Sequence, residues 1–216
     1  MRKKVSRPAV KKNRVKRIVI VGGGGHAKVV IDAARKQGGF RIAGVADPSL
    51  KKGSSIMGAP ALGGDSVLPA VLARGVKYAF VGVGSVGDTG PRKKIYNALK
   101  RIGFNIPVIV HPASVIADDV ELGDGTFVAA GAVINPGTRT GKNVIINTCA
   151  SVDHDCALGD FAHIAPNAVL SGGVRIGEDT HVGVGATVIQ NIAVGKRCLI
   201  KAGAVLTDSI GDDSRF

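Results

Sequence analysis

From Ile116 to Leu206 every sixth residue is aliphatic, with Thr140 the one exception. Two residues before each of these stands a small or β-branched residue, in the series Ser114, Val120, Thr126, Ala132 and onward to Ala204. Three residues after each comes a turn residue. Of the fifteen turn positions from Asp119 to Gly203, twelve are Gly, Asn or Asp, while Cys149, Phe161 and Arg197 depart. A period of six fits neither a helix, at about 3.6, nor a strand, at about 2. It predicts a parallel β-helix in which each hexapeptide is one short strand and one tight bend, the bend taking residues that tolerate positive φ. Gly123, Gly141, Gly159, Gly177 and Gly195 add a second period, of eighteen. Three hexapeptides therefore make one coil of a triangular prism. No coil buries its inward face alone, so the stack forms one continuous core.

Upstream the pattern changes. Residues 17–21 (RIVIV) read as a short buried strand, followed at once by Gly22-Gly23-Gly24-Gly25-His26-Ala27-Lys28. An amphipathic helical stretch then runs to Arg35, Gly38-Gly39 stops it, and RIAGVAD forms a second strand ending at Asp47. This is a βαβ unit of mononucleotide-binding type: the glycines let backbone approach phosphate, and the helix N-terminus offers free N–H groups. A tight turn without a ligand is the alternative. A third strand is predicted from Tyr78 to Gly84. Pro91 opens a helix that runs to Arg101 and is closed by Gly103, and Ile106 to Val110 is predicted as the last strand. The chain thus divides into a basic arm (residues 1–16), a small Rossmann-like parallel α/β domain (17–110) and an all-β helix (111–216).

Charge follows that division. The net +13 is made of +9 in residues 1–17, +9 in residues 18–107 and −5 in residues 108–216. The first block, MRKKVSRPAVKKNRVKR, reads as a disordered, solvated arm, with contact to RNA, DNA or anionic lipid as the alternative. The second block suits a phosphate-bearing ligand. Three cysteines without paired spacing argue against a disulfide framework or a zinc site and fit a reducing cytoplasm, with Cys156 and Cys198 as small core residues. No apolar run reaches membrane-spanning length, so a soluble chain is expected.

Histidine carries the candidate chemistry. His154 lies between Asp153 and Asp155, and a carboxylate beside an imidazole orients it and raises its basicity, as a general base requires. His163 and His181, eighteen apart, hold the same prism position on consecutive coils. No serine stands in a nucleophile elbow, and no third ligand accompanies the two histidines, so neither a triad nor a metal is expected.

These residues carry a resemblance. IVIVGGGGHAKVV followed by IINTCASVDHDCALGDFAHIAPNAVLSGGVRIG resembles the NeuD/PglD family of bacterial sugar acetyltransferases, over residues 17 to about 207. The resemblance implies a left-handed β-helix homotrimer with sites between subunits, using acetyl-CoA to N-acetylate a nucleotide-linked amino-deoxysugar. O-acetylation of a sialic-acid-like sugar, or a silent nucleotide-sugar-binding β-helix, are the alternatives. By the same resemblance His154 is the base and Asp155 its carboxylate. His163, Val184 and Ala202 meet acetyl-CoA, and His163 or a nearby backbone N–H stabilises the oxyanion. Gly24, Gly25, His26, Asp47 and Gly84 meet the nucleotide sugar, with Asn147 and His181 in support. No metal and no nucleic acid is implied. Pro48 departs from the family, where a second acid is usual, and the segment from Asp208 to Phe216 lacks its Gly-Val-Pro-Ala tail.

Overall fold

The computed structural model describes residues 15–51 and 53–216, so most of the predicted basic arm lies outside the described residues. The N-terminal unit is built from β1 (Lys16–Val21), α1 (Gly25–Gln37), β2 (Phe40–Ala46), β3 (Ser55–Ile56), β4 (Ala59–Gly63), α2 (Leu68–Ala73), β5 (Tyr78–Val81) and α3 (Gly90–Ile102). Its sheet runs β3-β4-β2-β1-β5, parallel except where β3 turns back antiparallel on β4. Burial on both faces explains the strands, whose apolar runs are continuous rather than alternating: Ile18 through Val21, Val45 and Ala46 are all shut from solvent.

Two sequence expectations need correction here. The third strand stops at Val81 rather than Gly84, leaving Gly82 to Gly84 as loop. Gly82 is required there, since a Cβ would sit 2.6 Å from Ile20 Cγ2. Ile109–Val110 does not join this sheet at all; it pairs with Phe127–Val128 in the prism. Beside β5 only an isolated bridge joins Asn105 to Tyr78, and the sheet is extended instead at its other edge by β3 and β4, whose short strands lack an alternating signal.

The prism follows its register. Phe127, Ile145, His163, His181 and Leu199 are successive partners on one face, and Val115, Val133, Ser151, Val169, Thr187 and Val205 on a second. Arg139, Ala157, Arg175 and Ala193 line the third, completing a left-handed parallel β-helix. Every predicted turn position from Gly125 to Gly203 has positive φ, including Cys149 at 55°, Phe161 at 60° and Arg197 at 56°. The coil therefore imposes the bend even on residues that disfavour it, at a cost of about 1 kcal/mol or more each. The corner glycines have another cause. Their φ is ordinary, but a Cβ on Gly177 would lie 2.5 Å from the Gly195 carbonyl carbon on the next coil. Thr140 breaks the aliphatic series because its hydroxyl accepts the Gly123 N–H at 3.1 Å in the frayed first coil. Cys156 and Cys198 are buried, as expected of core residues.

The N-terminal unit packs on the first prism face through α3. Lys93 Nζ bridges Glu178 and Asp179 at 2.7 Å each and lies over the Phe161 ring. Thr89 donates to Asp179 at 2.6 Å. That docking buries His163 and His181.

Candidate functional site

At the C-terminal ends of β1, β2 and β5 the glycine-rich loop makes an open cradle. Gly22 and Gly23 are needed by the fold itself. Gly22 has φ +106°, and a Cβ on Gly23 would press on Leu50 and Asp47. At Gly24 and Gly25 a side chain would meet nothing within 4 Å. Gly24 caps α1 without any side-chain bond, leaving the first N–H groups of the helix directed at that space. Asp47 secures the loop: its carboxylate accepts Gly23 N at 2.6 Å and the hydroxyl and N–H of Ser49 at 2.6 and 2.7 Å. The Ser49 hydroxyl bond leads the causes that hold its pKa below the ordinary carboxylate value. Gly84 lies 3.5 Å from the His26 side chain by the position of an added Cβ.

Two cavities meet beside this loop. One, of about 390 Å³, is lined by His26, Val29, Gly84, Ser85, Val86, Asn147 and His163. The other, of about 440 Å³ and mostly apolar, is lined by Asn147, His163, His181, Val184 and Ala202 among others. Val86, Asn147 and His163 are common to both. The structure thus brings His26 and Gly84 together on one side of His163, and Val184 and Ala202 on the other.

The hydrogen bonds at His163 fix its chemistry. Thr148 N–H donates to Asn147 Oδ1 at 2.8 Å, so the Asn147 amide turns its Nδ2 toward His163 Nε2, 3.1 Å away. Nε2 must then be the acceptor, and Nδ1 carries the proton, which it donates to the Ser85 carbonyl at 2.7 Å. Burial pushes the ring pKa down to about 3, with His181, Arg92 and His26 adding repulsion. His163 therefore has no N–H free for an oxyanion, which corrects the expectation that it could supply one. His181 stacks edge-on to it at 4.7 Å, its pKa lowered by burial and by Arg92. Arg92, 1% exposed, donates from Nη2 to the Phe161 carbonyl, and burial lowers its pKa to about 10. His26, edge-on to Phe127 at 5.3 Å, is lowered to about 4 by burial.

His154 is set differently and elsewhere. It follows strand Ser151–Val152, a corner away from Asn147, which follows Ile145–Ile146, and it lines neither cavity. Its side chain is 60% exposed, and Nδ1 lies 2.9 Å from Asp155 Oδ2. Asp153 accepts the His154 N–H at 2.8 Å and is itself held by Asn135 at 2.8 Å. The Asp155 bond and the Asp153 charge raise the pKa of His154 above 6.5. The ring lies over Gly172, one coil on, where a Cβ would come 2.5 Å from Nε2. Sequence reasoning missed Gly172, although its spacing of eighteen from His154 was a usable signal. It also missed the Ser85 carbonyl, Val86 and Arg92, which no residue pattern marks. Among the described residues no group of three His, Cys, Asp or Glu could hold a metal.

The family model for the PglD N-terminal domain matches residues 17–99, and that for the hexapeptide repeat of succinyl-transferase matches residues 173–208. Among solved structures, a His-to-Asn variant of perosamine N-acetyltransferase from Caulobacter crescentus, in complex with CoA and GDP-perosamine, is 37% identical, with a TM-score of 0.87 over 94% of this chain and 93% of its own. PerB from the same organism, in complex with CoA and GDP-perosamine, is 36% identical, with a TM-score of 0.85 over 94% of each chain. The acetyltransferase domain of PglB from Neisseria gonorrhoeae, in complex with acetyl coenzyme A, is 35% identical, with a TM-score of 0.85 over 93% of this chain and 95% of its own. A search of the curated proteins returns no match.

Proposed function

Because the chain belongs to the NeuD/PglD-type family of bacterial sugar acetyltransferases, we propose that it transfers the acetyl group of acetyl-CoA to the 4-amino group of a nucleotide-linked amino-deoxysugar. The observation that carries this reading is the pair of cavities meeting at Val86, Asn147 and His163. The apolar groove past His181, Val184 and Ala202 takes the pantetheine arm of acetyl-CoA. The cavity beside His26 and Gly84 takes the sugar, and the cradle at Gly24 and Gly25, with Asp47 behind it, takes the phosphates and nucleoside.

In the transfer the amine attacks the thioester carbonyl, an amide bond forms, and the CoA thiol leaves. His154 takes the proton from the attacking nitrogen. Asp155 holds the ring in place and raises its basicity, which a base for an ammonium-forming nucleophile needs. Since His163 has no spare N–H, a backbone N–H near it is the donor for the oxyanion.

His154 lies a corner away from the two cavities, so one chain does not complete the site. The prism face between Asn147 and His154 carries Val115, Val169 and Val205, exposed by 65%, 38% and 56%. A second copy of this chain covers that apolar, β-branched row, and cyclic closure into a homotrimer brings His154 of one protomer to the Asn147–His163 corner of the next. Three free cysteines support a reducing compartment, and the enzyme is assigned to the cytoplasm. No described helix is long and apolar enough to cross a membrane.

Titration calorimetry of acetyl-CoA and of GDP- and UDP-linked 4-amino sugars into Gly24→Val tests the division of labour. The variant should bind the sugar nucleotide at least tenfold more weakly and acetyl-CoA as before. Loss of acetyl-CoA binding with the sugar nucleotide retained would reverse the assignment of the two cavities.

A further inference from the structure

The positive charge of the N-terminal unit is not gathered where the nucleotide is read to bind. Of the thirteen Lys and Arg in residues 18–107, seven lie at the opposite pole, where strands begin and helices end: Arg35, Lys36, Arg41, Arg74, Lys77, Lys100 and Arg101. Lys16 and Arg17 at the start of β1 join them.

Helix ends account for part of this, since cations complement the negative C-terminal dipole of α1 and α3. Two carboxylates neutralise more: Asp32 pairs with Lys36 at 2.8 Å and Asp124 with Lys100 at 3.4 Å. Neither cause reaches the strand starts. There Lys16, Arg17, Arg41 and Lys77 have no carboxylate partner among the described residues, and strands carry little net dipole. Arg17 and Arg41 are direct register partners on adjacent strands, an arrangement that costs stability through like-charge repulsion unless an anion compensates. A cavity of about 460 Å³ opens among Lys16, Arg17, Lys77 and Tyr78. The chain reaches this pole directly from residues 1–14, which hold seven Lys and Arg and no acid.

We propose that this pole docks on an anionic phospholipid surface, with phosphodiester headgroups taken by the strand-start cations. A membrane is favoured over a nucleic acid for two reasons. The charges lie across the end plane of the sheet rather than along a groove, which suits a flat partner. The aromatic at the pole cannot stack a base, because the Tyr78 ring is covered by Lys16 Nζ at 5.1 Å and packed edge-on against Phe40 at 5.8 Å. Beside it Val15, 59% exposed, offers an apolar contact at headgroup level.

Sedimentation of the full chain with phosphatidylcholine vesicles, with and without phosphatidylglycerol, tests this. Binding is expected only to the anionic vesicles and should weaken with added salt. Arg17→Gln combined with Arg41→Gln should weaken it roughly 30-fold, at about fivefold per basic residue. Lys77→Gln, off the register pair, should weaken it about fivefold. The double variant should melt no lower than the native chain, because it removes a repulsion, and its acetyl-CoA affinity should be unchanged. The proposal is overturned if the chain ignores anionic vesicles, if these variants bind them as well as the native chain does, or if a DNA or RNA duplex is bound more tightly than the vesicles at the same salt.

Discussion

The corner that carries His154 and the covered face that carries His163 and His181 use the same residue on the same scaffold, one in a turn and the others in strands, and reach opposite ends. At the corner the ring stands in water with Asp153 and Asp155 beside it, and its pKa rises. On the covered face the N-terminal unit removes water, Arg92 adds a buried positive charge, and the pKa of His163 falls to about 3. The same prism carries both. What surrounds each ring decides whether it is fit to act as a base or is a neutral fixture holding the Ser85 carbonyl and the Asn147 amide together.

The largest expected break in that contrast is His154→Ala. Loss of a general base should lower kcat by roughly 10²–10⁴-fold, with Tm unchanged because the side chain is exposed. Steady-state kinetics with turnover near the native rate would remove His154 from the mechanism. His163→Ala should act the other way round. It leaves the buried Ser85 carbonyl without its donor and takes one partner from the half-buried Asn147 amide, and stability should fall by about 1–3 kcal/mol in urea unfolding.

Acid pH sharpens the same comparison. His163 has a folded pKa of about 3 against an ordinary value of 6.5, so the unfolded chain binds more protons between these values. Its contribution to stability is complete above pH 6.5 and is lost as the pH falls toward 3. Unfolding measured at pH 7 and pH 5 should show about 2 kcal/mol lost through this one group, and a His163→Gln variant should lose that much less. His154, raised rather than lowered, adds nothing to that loss. The smallest effect is expected for Asp155→Asn, which keeps a residue tolerant of φ 57°. Without the carboxylate the acidic limb of kcat/KM should move down toward pH 6.5, with kcat reduced less than about tenfold. An acidic limb that stays in place would show that Asp155 does not set the basicity of His154.

The period of six in the sequence determined the prism, its core and its register. A hexapeptide is a local unit, and eighteen residues per coil leave no freedom in which strand meets which. The glycine loop before α1, the Asp153-His154-Asp155 cluster and the phase shared by His163 and His181 were legible for the same reason: neighbours in sequence, or one coil apart, are neighbours in space. Contacts between units were not legible. Nothing in the spacing of Ile106 to Val110 says that Ile109–Val110 leaves its domain for the prism. Nor does it say that Ser85 offers a carbonyl to a histidine 78 positions on, or that seven of the thirteen Lys and Arg in residues 18–107 lie at the pole away from the glycine loop. Those outcomes depend on how α3 lies against the prism and on which pole each chain end occupies. Tertiary packing fixes both, and with them the tautomer of His163 and the separation of His154 from the two cavities.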